Sequence, residues 1–143
     1  MESESQDTFK ELLAEKRKIT YMLVENFITN ILNEISITGA FSNADLLLLI
    51  DDLLENIKPM ISSQIKQIAG EFEEDNVSRL KKCINEAVIF SDEKLDIKKE
   101  TIALKVTKMS FVSENSVIKT ITGIEKEVKS VIAKTMYKLE QCL

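Results

Sequence analysis

The sequence reads ADLLLLIDDLLENI from position 44 to position 57, and this is the most apolar run in the chain. At 100° per residue, Leu46 and Leu53 fall on one helical face. Leu48 and Leu49 lie off that face, so the first turns of the helix are apolar almost all round. A helix of this kind is normally enclosed by its neighbours. The run therefore predicts the central helix of a helical domain.

Length and composition favour one such domain. A chain of 143 residues with 44% apolar and 30% charged side chains has the balance of a single globular unit. Three glycines and one proline leave few interruptions, so long helices are favoured over many short strands. We predict a mainly α-helical domain over residues 1–143, a bundle of about five or six helices, with residues 1–7 disordered.

The first helix is predicted from apolar residues that recur at intervals of three and four. It should begin near Phe9, with Asp7 or Thr8 as the capping residue. It should end near residues 36–39, where Gly39 makes the first clear break.

The central helix is expected to begin behind Ser42 or Asn43 as the cap, with Asp45 at the positive end of the helix dipole. Pro59 then either kinks this helix or opens a new one at its favoured first-turn position. The acidic run at 71–75 closes that segment.

The next helix is expected to start at Asp75 or Asn76 and to end near residues 90–92. The segment after it fits two structures, because its apolar residues alternate in places but also share one helical side. One is a short β-hairpin near residues 94–112, and the other is a helix. We favour the helix because no Asn-Gly or Asp-Gly turn supports the hairpin.

The final helix, capped by Ser113 or Asn115, carries a coiled-coil seam. Its members repeat at intervals of three and four residues and are Ile121, Ile124, Val128 and Val131. We predict that this seam pairs with a second chain, most simply a copy of itself, to give a homodimer. The alternative is that it docks on the first helix of the same chain. Gly123, beside the seam, costs the helix about 1 kcal/mol relative to alanine, and we predict that it permits a close helix contact.

Charge is unevenly distributed. Residues 1–75 carry 15 acidic and 6 basic side chains, whereas residues 76–143 carry 9 acidic and 13 basic ones. The two parts therefore have net charges of −9 and +4. Such asymmetry indicates either an acidic or basic partner, or two halves that complement each other.

The cysteines, Cys83 and Cys142, form no CxxC and no metal-ligand spacing. We expect two reduced thiols, which is usual in the cytosol. The first residues are acidic and polar, without the apolar segment of a signal peptide. A cytoplasmic, intracellular protein without a transmembrane segment is the expectation.

The chemistry of catalysis is poorly represented. The chain has no histidine, which removes the commonest general base and every histidine-containing metal site. Its three glycines stand too far apart to cradle a phosphate. Asp51 and Asp52 point about 100° apart on a helix, which suits a solvated face better than shared acid–base chemistry. We predict no catalytic residue, no cofactor and no metal site.

The sequence thus favours a non-enzymatic regulator or adaptor that binds a protein partner or itself. The predicted protein-binding residues are Leu48 and Leu49 on the central helix, together with the seam of the final helix, Ile121, Ile124, Val128 and Val131. A nucleic-acid-associated regulator that uses the lysine-rich second half is the first alternative. We consider nucleic acid less favoured because two arginines and few exposed aromatics suit base recognition poorly. An acidic inhibitor of a basic target, acting through the first half, is the second alternative.

Overall fold

The computed structural model describes residues 2–35, 42–72 and 76–143, with side chains from residue 6 onward. These residues form four α-helices, namely α1 (Glu2–Ile35), α2 (Asn43–Glu71), α3 (Val77–Thr107) and α4 (Glu114–Cys142). The mainly α-helical prediction is confirmed, and no strand occurs among the described residues. Across the same ranges, none of the helices combines the length and the hydropathy needed to cross a membrane.

The four helices form an up-and-down bundle in which every neighbouring pair is antiparallel. At one end, the ring of Phe9 near the start of α1 lies 4.7 Å from that of Phe72, just after α2. The Lys58 ammonium on α2 pairs with Asp96 on α3 at 2.6 Å. Helix α4 runs back between α3 and α1, and α2 touches α4 only weakly across the diagonal. This is the usual topology for long helices joined by short loops.

One face of α2 is buried from end to end, as predicted for Leu46 and Leu53, but the helix is not enclosed by its neighbours as expected, because its opposite face, including Leu48, is exposed. The buried side chains of this helix are Leu46, Ile50, Leu53, Leu54, Ile57, Ile61, Ile65 and Ile68. Three predicted caps are also confirmed. The Ser42 hydroxyl accepts from the Asp45 amide while the Asp45 carboxylate accepts from the Ser42 amide, which completes a capping box. Asn76 caps α3 and Ser113 caps α4.

The prediction of five or six helices is wrong, because two expected breaks do not occur. Helix α2 continues through Pro59, whose ring lies on the exposed side. Helix α3 continues past residues 90–92 because Ser91 is buried within its apolar face and donates its hydroxyl to the Val88 carbonyl. Its last turns extend to Thr107 in place of the hairpin near residues 94–112.

The ends of α1 also differ from expectation. The helix begins at Glu2, so residues 2–7, expected to be disordered, are assigned to its first turns and no cap forms at Asp7 or Thr8. The predicted break at Gly39 lies outside the described residues.

Within α1, Lys16 is buried, and its ammonium reaches Glu71 at 2.8 Å and Gln67 at 3.1 Å. These contacts fix the start of α1 against the end of α2.

The expectation of two reduced thiols is wrong. Cys83 near the start of α3 and Cys142 at the end of α4 form a disulfide, with 5.8 Å between their Cα atoms. That separation is in the usual range for a bridge. The antiparallel packing of α3 on α4 brings together two cysteines that are 59 positions apart in sequence. Spacing alone gives no sign of this pairing.

One half-buried carboxyl, that of Asp92, should make stability depend on pH. Burial raises the pKa of Asp92 above its usual value, and one of its oxygens has no hydrogen-bond partner in the described structure. The folded chain therefore binds the Asp92 proton more tightly than the unfolded chain does. The stability that this gives at low pH is lost as the pH rises through the raised pKa.

We accordingly expect Asp92→Asn to melt at a higher temperature than the wild type at pH 7. The advantage should shrink as the pH falls towards about 4, where Asp92 is also protonated in the unfolded chain. Thermal melts of both proteins at several pH values would measure this difference. A variant that melts at or below the wild-type temperature at pH 7 would contradict it.

Candidate functional site

The α4 seam lies inside the bundle. Its four residues, Ile121, Ile124, Val128 and Val131, are at most 1% exposed. They belong to the apolar core that the helices of this chain enclose. The seam therefore offers no surface to a second chain unless the bundle opens.

The two other predicted binding residues are at the surface of α2. Leu48 is 70% exposed, while Leu49 is half-buried and packs against the edge of the core. The helical neighbours of Leu48 at three and four positions are also exposed. We call the set made of Ala44, Asp45, Leu48, Asp51 and Asp52 the Leu48 ridge. It presents one large apolar side chain among three carboxylates.

A groove of about 350 Å³ lies between the second half of α3 and the first half of α4. Its apolar lining consists of Ile102, Val106, Met109 and Gly123, and its charged lining of Lys98, Lys105, Lys119 and Glu127. We call it the Gly123 groove. Its volume falls within the usual range of small ligand sites.

A second depression, of about 590 Å³, lies on the same side of the bundle, nearer the disulfide end of α4. Phe90 lines it, and the ammonium groups of Lys94 and Lys138 lie 5.5 and 5.3 Å from the centre of that ring. Tyr137, which is 63% exposed, also contributes to the lining. Contacts of this kind hold lysine side chains in place over apolar surface.

Together the two grooves place six lysines on the α3–α4 side, which we call the lysine face. They are Lys94, Lys98, Lys105, Lys119, Lys134 and Lys138. Among the described residues that line the two grooves, Glu127 is the one acidic side chain.

Most of the positive charge on this face is not neutralised within the chain. Glu127 pairs with Lys98 at 2.7 Å, and this hydrogen bond holds the pKa of the Glu127 carboxyl below its usual value. Lys105, Lys119 and Lys134 are exposed, and none of them forms an ion pair with another described residue. A surface with several free cations beside apolar grooves is suited to binding an anionic partner.

The predicted close helix contact at Gly123 is wrong. A Cβ atom built there meets nothing within 4 Å, and the residue is exposed in the groove.

We expect Gly123→Ala to raise the free energy of unfolding by about 1 kcal/mol, because alanine is the better helix former. Denaturant unfolding would measure the change. Gly70→Ala, at an equally open position in α2, serves as the matched control, and a loss of stability specific to Gly123→Ala would contradict the open groove.

Sequence reasoning considered the lysines but did not place them on one face. A periodic signal is nevertheless present, since Lys94, Lys98 and Lys105 are separated by four and seven positions. Lys134 and Lys138 are likewise one turn apart. These spacings place each set on one side of its helix. Only the packing of α3 beside α4 shows that the two sets face the same way.

No family model, curated protein or solved structure that we compared matches this chain. Arguments about its function therefore rest on its own surface.

Proposed function

We propose that the protein is a non-catalytic binding protein whose lysine face holds an acidic segment of a partner protein. The observation that carries the proposal is the pair of grooves lined by six lysines and a single glutamate. Carboxylates of the partner would pair with the free ammonium groups, while its apolar side chains enter the grooves. Apolar contact supplies affinity, and the charge pattern supplies orientation and selectivity.

A protein segment fits this face better than a nucleic acid does. The whole chain carries a net charge of −5, which repels a long polyanion beyond the immediate neighbourhood of the lysines. The grooves also have apolar linings, and a phosphate backbone has nothing to place there. Nucleic-acid association remains the second candidate, since the lysines are gathered on one side as it requires.

An affinity-capture comparison tests the proposal. The bait variant Lys105→Glu/Lys119→Glu/Lys134→Glu reverses the three free charges of the face. The control bait Lys18→Glu/Lys66→Glu/Lys82→Glu reverses three exposed lysines that line neither groove. Each bait and the wild type would be incubated with a lysate of the native cell, and the bound proteins would be quantified by mass spectrometry.

We expect a partner that the wild-type and control baits retain and the lysine-face variant loses. Its capture should survive nuclease treatment and weaken at high salt, because the charges involved are exposed. Loss of capture after nuclease treatment would favour the nucleic-acid candidate. Equal capture by all three baits would contradict any role for the lysine face.

The proposed location also needs revision. The expectation of an intracellular protein rests partly on reduced thiols, and the Cys83–Cys142 disulfide removes that argument. Structural disulfides persist mainly in oxidising surroundings. We propose that the protein works where this bridge stays closed. Alkylation of free thiols at the moment of cell lysis would test this, since two labelled cysteines per chain would contradict it.

A further inference from the structure

We infer that the Gly123 groove receives the Leu48 ridge of a second copy of this chain, so that two bundles form a symmetric dimer. This inference names the partner of the site proposed above and rests on the lysine face being a binding surface. Three features of the described structure carry it.

The first feature is complementary charge. Ridge residues Asp45, Asp51 and Asp52 surround Leu48 with carboxylates, of which Asp51 also pairs with Lys99 at 2.9 Å. Lys105 and Lys119 line the groove with exposed ammonium groups. Opposite charges that face each other across a contact steer association and select the correct partner. The acidic first part of one copy can thus face the basic second part of another copy.

The second feature is complementary shape and polarity. Leu48 is among the most exposed large apolar side chains of the described chain, at 70%, and it stands on the outer side of a helix. The Gly123 groove is a depression with an apolar lining and no side chain at its glycine. A helix-interior glycine costs stability, and no contact within this chain explains it. A groove kept open for an incoming leucine does explain it.

The third feature is position. The side-chain Nδ2 of Asn43 donates to the Met109 carbonyl at 2.8 Å, so the start of α2 lies beside the end of α3. Met109 itself lines the groove. Ridge and groove therefore lie at the same end of the bundle, on different sides. A two-fold axis beside that end would let each copy place its ridge in the groove of the other, which closes the dimer.

Charge-swapped variants of the full chain test the inference. The groove variant is Lys105→Glu/Lys119→Glu. The ridge variant is Ala44→Lys/Asp52→Lys, which leaves Asp45 in its capping box and Asp51 in its ion pair with Lys99. Sedimentation velocity over a range of protein concentrations would give the dimer dissociation constant of each protein, and circular dichroism would verify that each is folded.

We expect the wild type to dimerise and each variant alone to dissociate at least about tenfold more readily, because like charges then oppose each other. An equimolar mixture of the two variants should recover dimers. In the mixed dimer one contact keeps its original charges, and in the other the two new glutamates face the two new lysines, so both remain attractive. A monomeric wild type, variants that dimerise like the wild type, or a mixture that stays monomeric would each overturn the inference.

A steric pair of variants provides an independent check. Gly123→Leu places a side chain in the groove, and its Cβ meets no atom of its own chain within 4 Å, so the variant should fold and lose the dimer. Gly70→Leu, the matched control, should dimerise like the wild type. Equal dimerisation by both would overturn the groove as the contact. A monomeric wild type would leave the proposed function standing if the capture comparison still found a partner that depends on the lysine face.

Discussion

Breaking the Cys83–Cys142 disulfide should lower the free energy of unfolding by about 4 kcal/mol. The bridge closes a loop with a sequence separation of 59, and the loss of chain entropy in the unfolded state on closing such a loop is of that size. For a chain of this length the melting temperature should fall by roughly 10 °C when a reductant is added. Thermal melts followed by circular dichroism, with and without reductant, would measure it.

The Cys142→Ser variant is the control for this prediction. Cys142 is half-buried at the end of α4, so its replacement opens the bridge with little change to the core. The variant should melt at the temperature of the reduced wild type and should not respond to reductant. An unchanged melting temperature for the wild type on reduction would show that α3 and α4 hold their ends together without the bridge.

The second large effect is expected at Leu53, where Leu53→Ala should cost about 2–5 kcal/mol. Its side chain is fully buried in α2, and truncation both removes apolar contact and leaves a cavity. Leu48→Ala, five positions earlier on the same helix, should cost the monomer well under 1 kcal/mol, since its side chain is mostly in solvent there. Both variants are compared at a protein concentration low enough to keep the chain monomeric, because dimerisation would add its own contribution to stability. Urea unfolding of the two variants beside the wild type would give both values.

The pair of leucines also tests the site. Equal and large losses at both positions would mean that α2 is enclosed on every side. The Leu48 ridge would then not be a surface feature, and it could not contact the Gly123 groove of a second copy.

Local signals in the sequence were sufficient for part of the fold. The run at 44–57 predicted the buried face of α2, though not its exposed face, and Ser42, Asn76 and Ser113 marked the starts of three helices. Both signals are local, because caps and apolar periodicity depend on neighbouring residues. The predicted number of helices was wrong for a local reason as well. Pro59 normally interrupts a helix, and here it is tolerated within a well-packed one.

The features that depend on packing could not be read from the sequence. The disulfide requires the end of α4 to lie beside the start of α3, and the lysine face requires the correct rotation of both helices. The α4 seam illustrates the same limit. Its pattern is that of a helix–helix contact, and the pattern is the same whether the partner helix belongs to the same chain or to another.

The central claim is that the lysine face is the surface this protein uses for binding. Brief acylation of lysines, applied to the purified chain at low concentration and to the protein in its native cell, would test it most directly by mass spectrometry. We predict that Lys105, Lys119 and Lys134 are labelled in the dilute chain and protected in the cell, while exposed Lys18 and Lys66 react equally in both. Equal labelling of the two sets of lysines in the cell would contradict the claim.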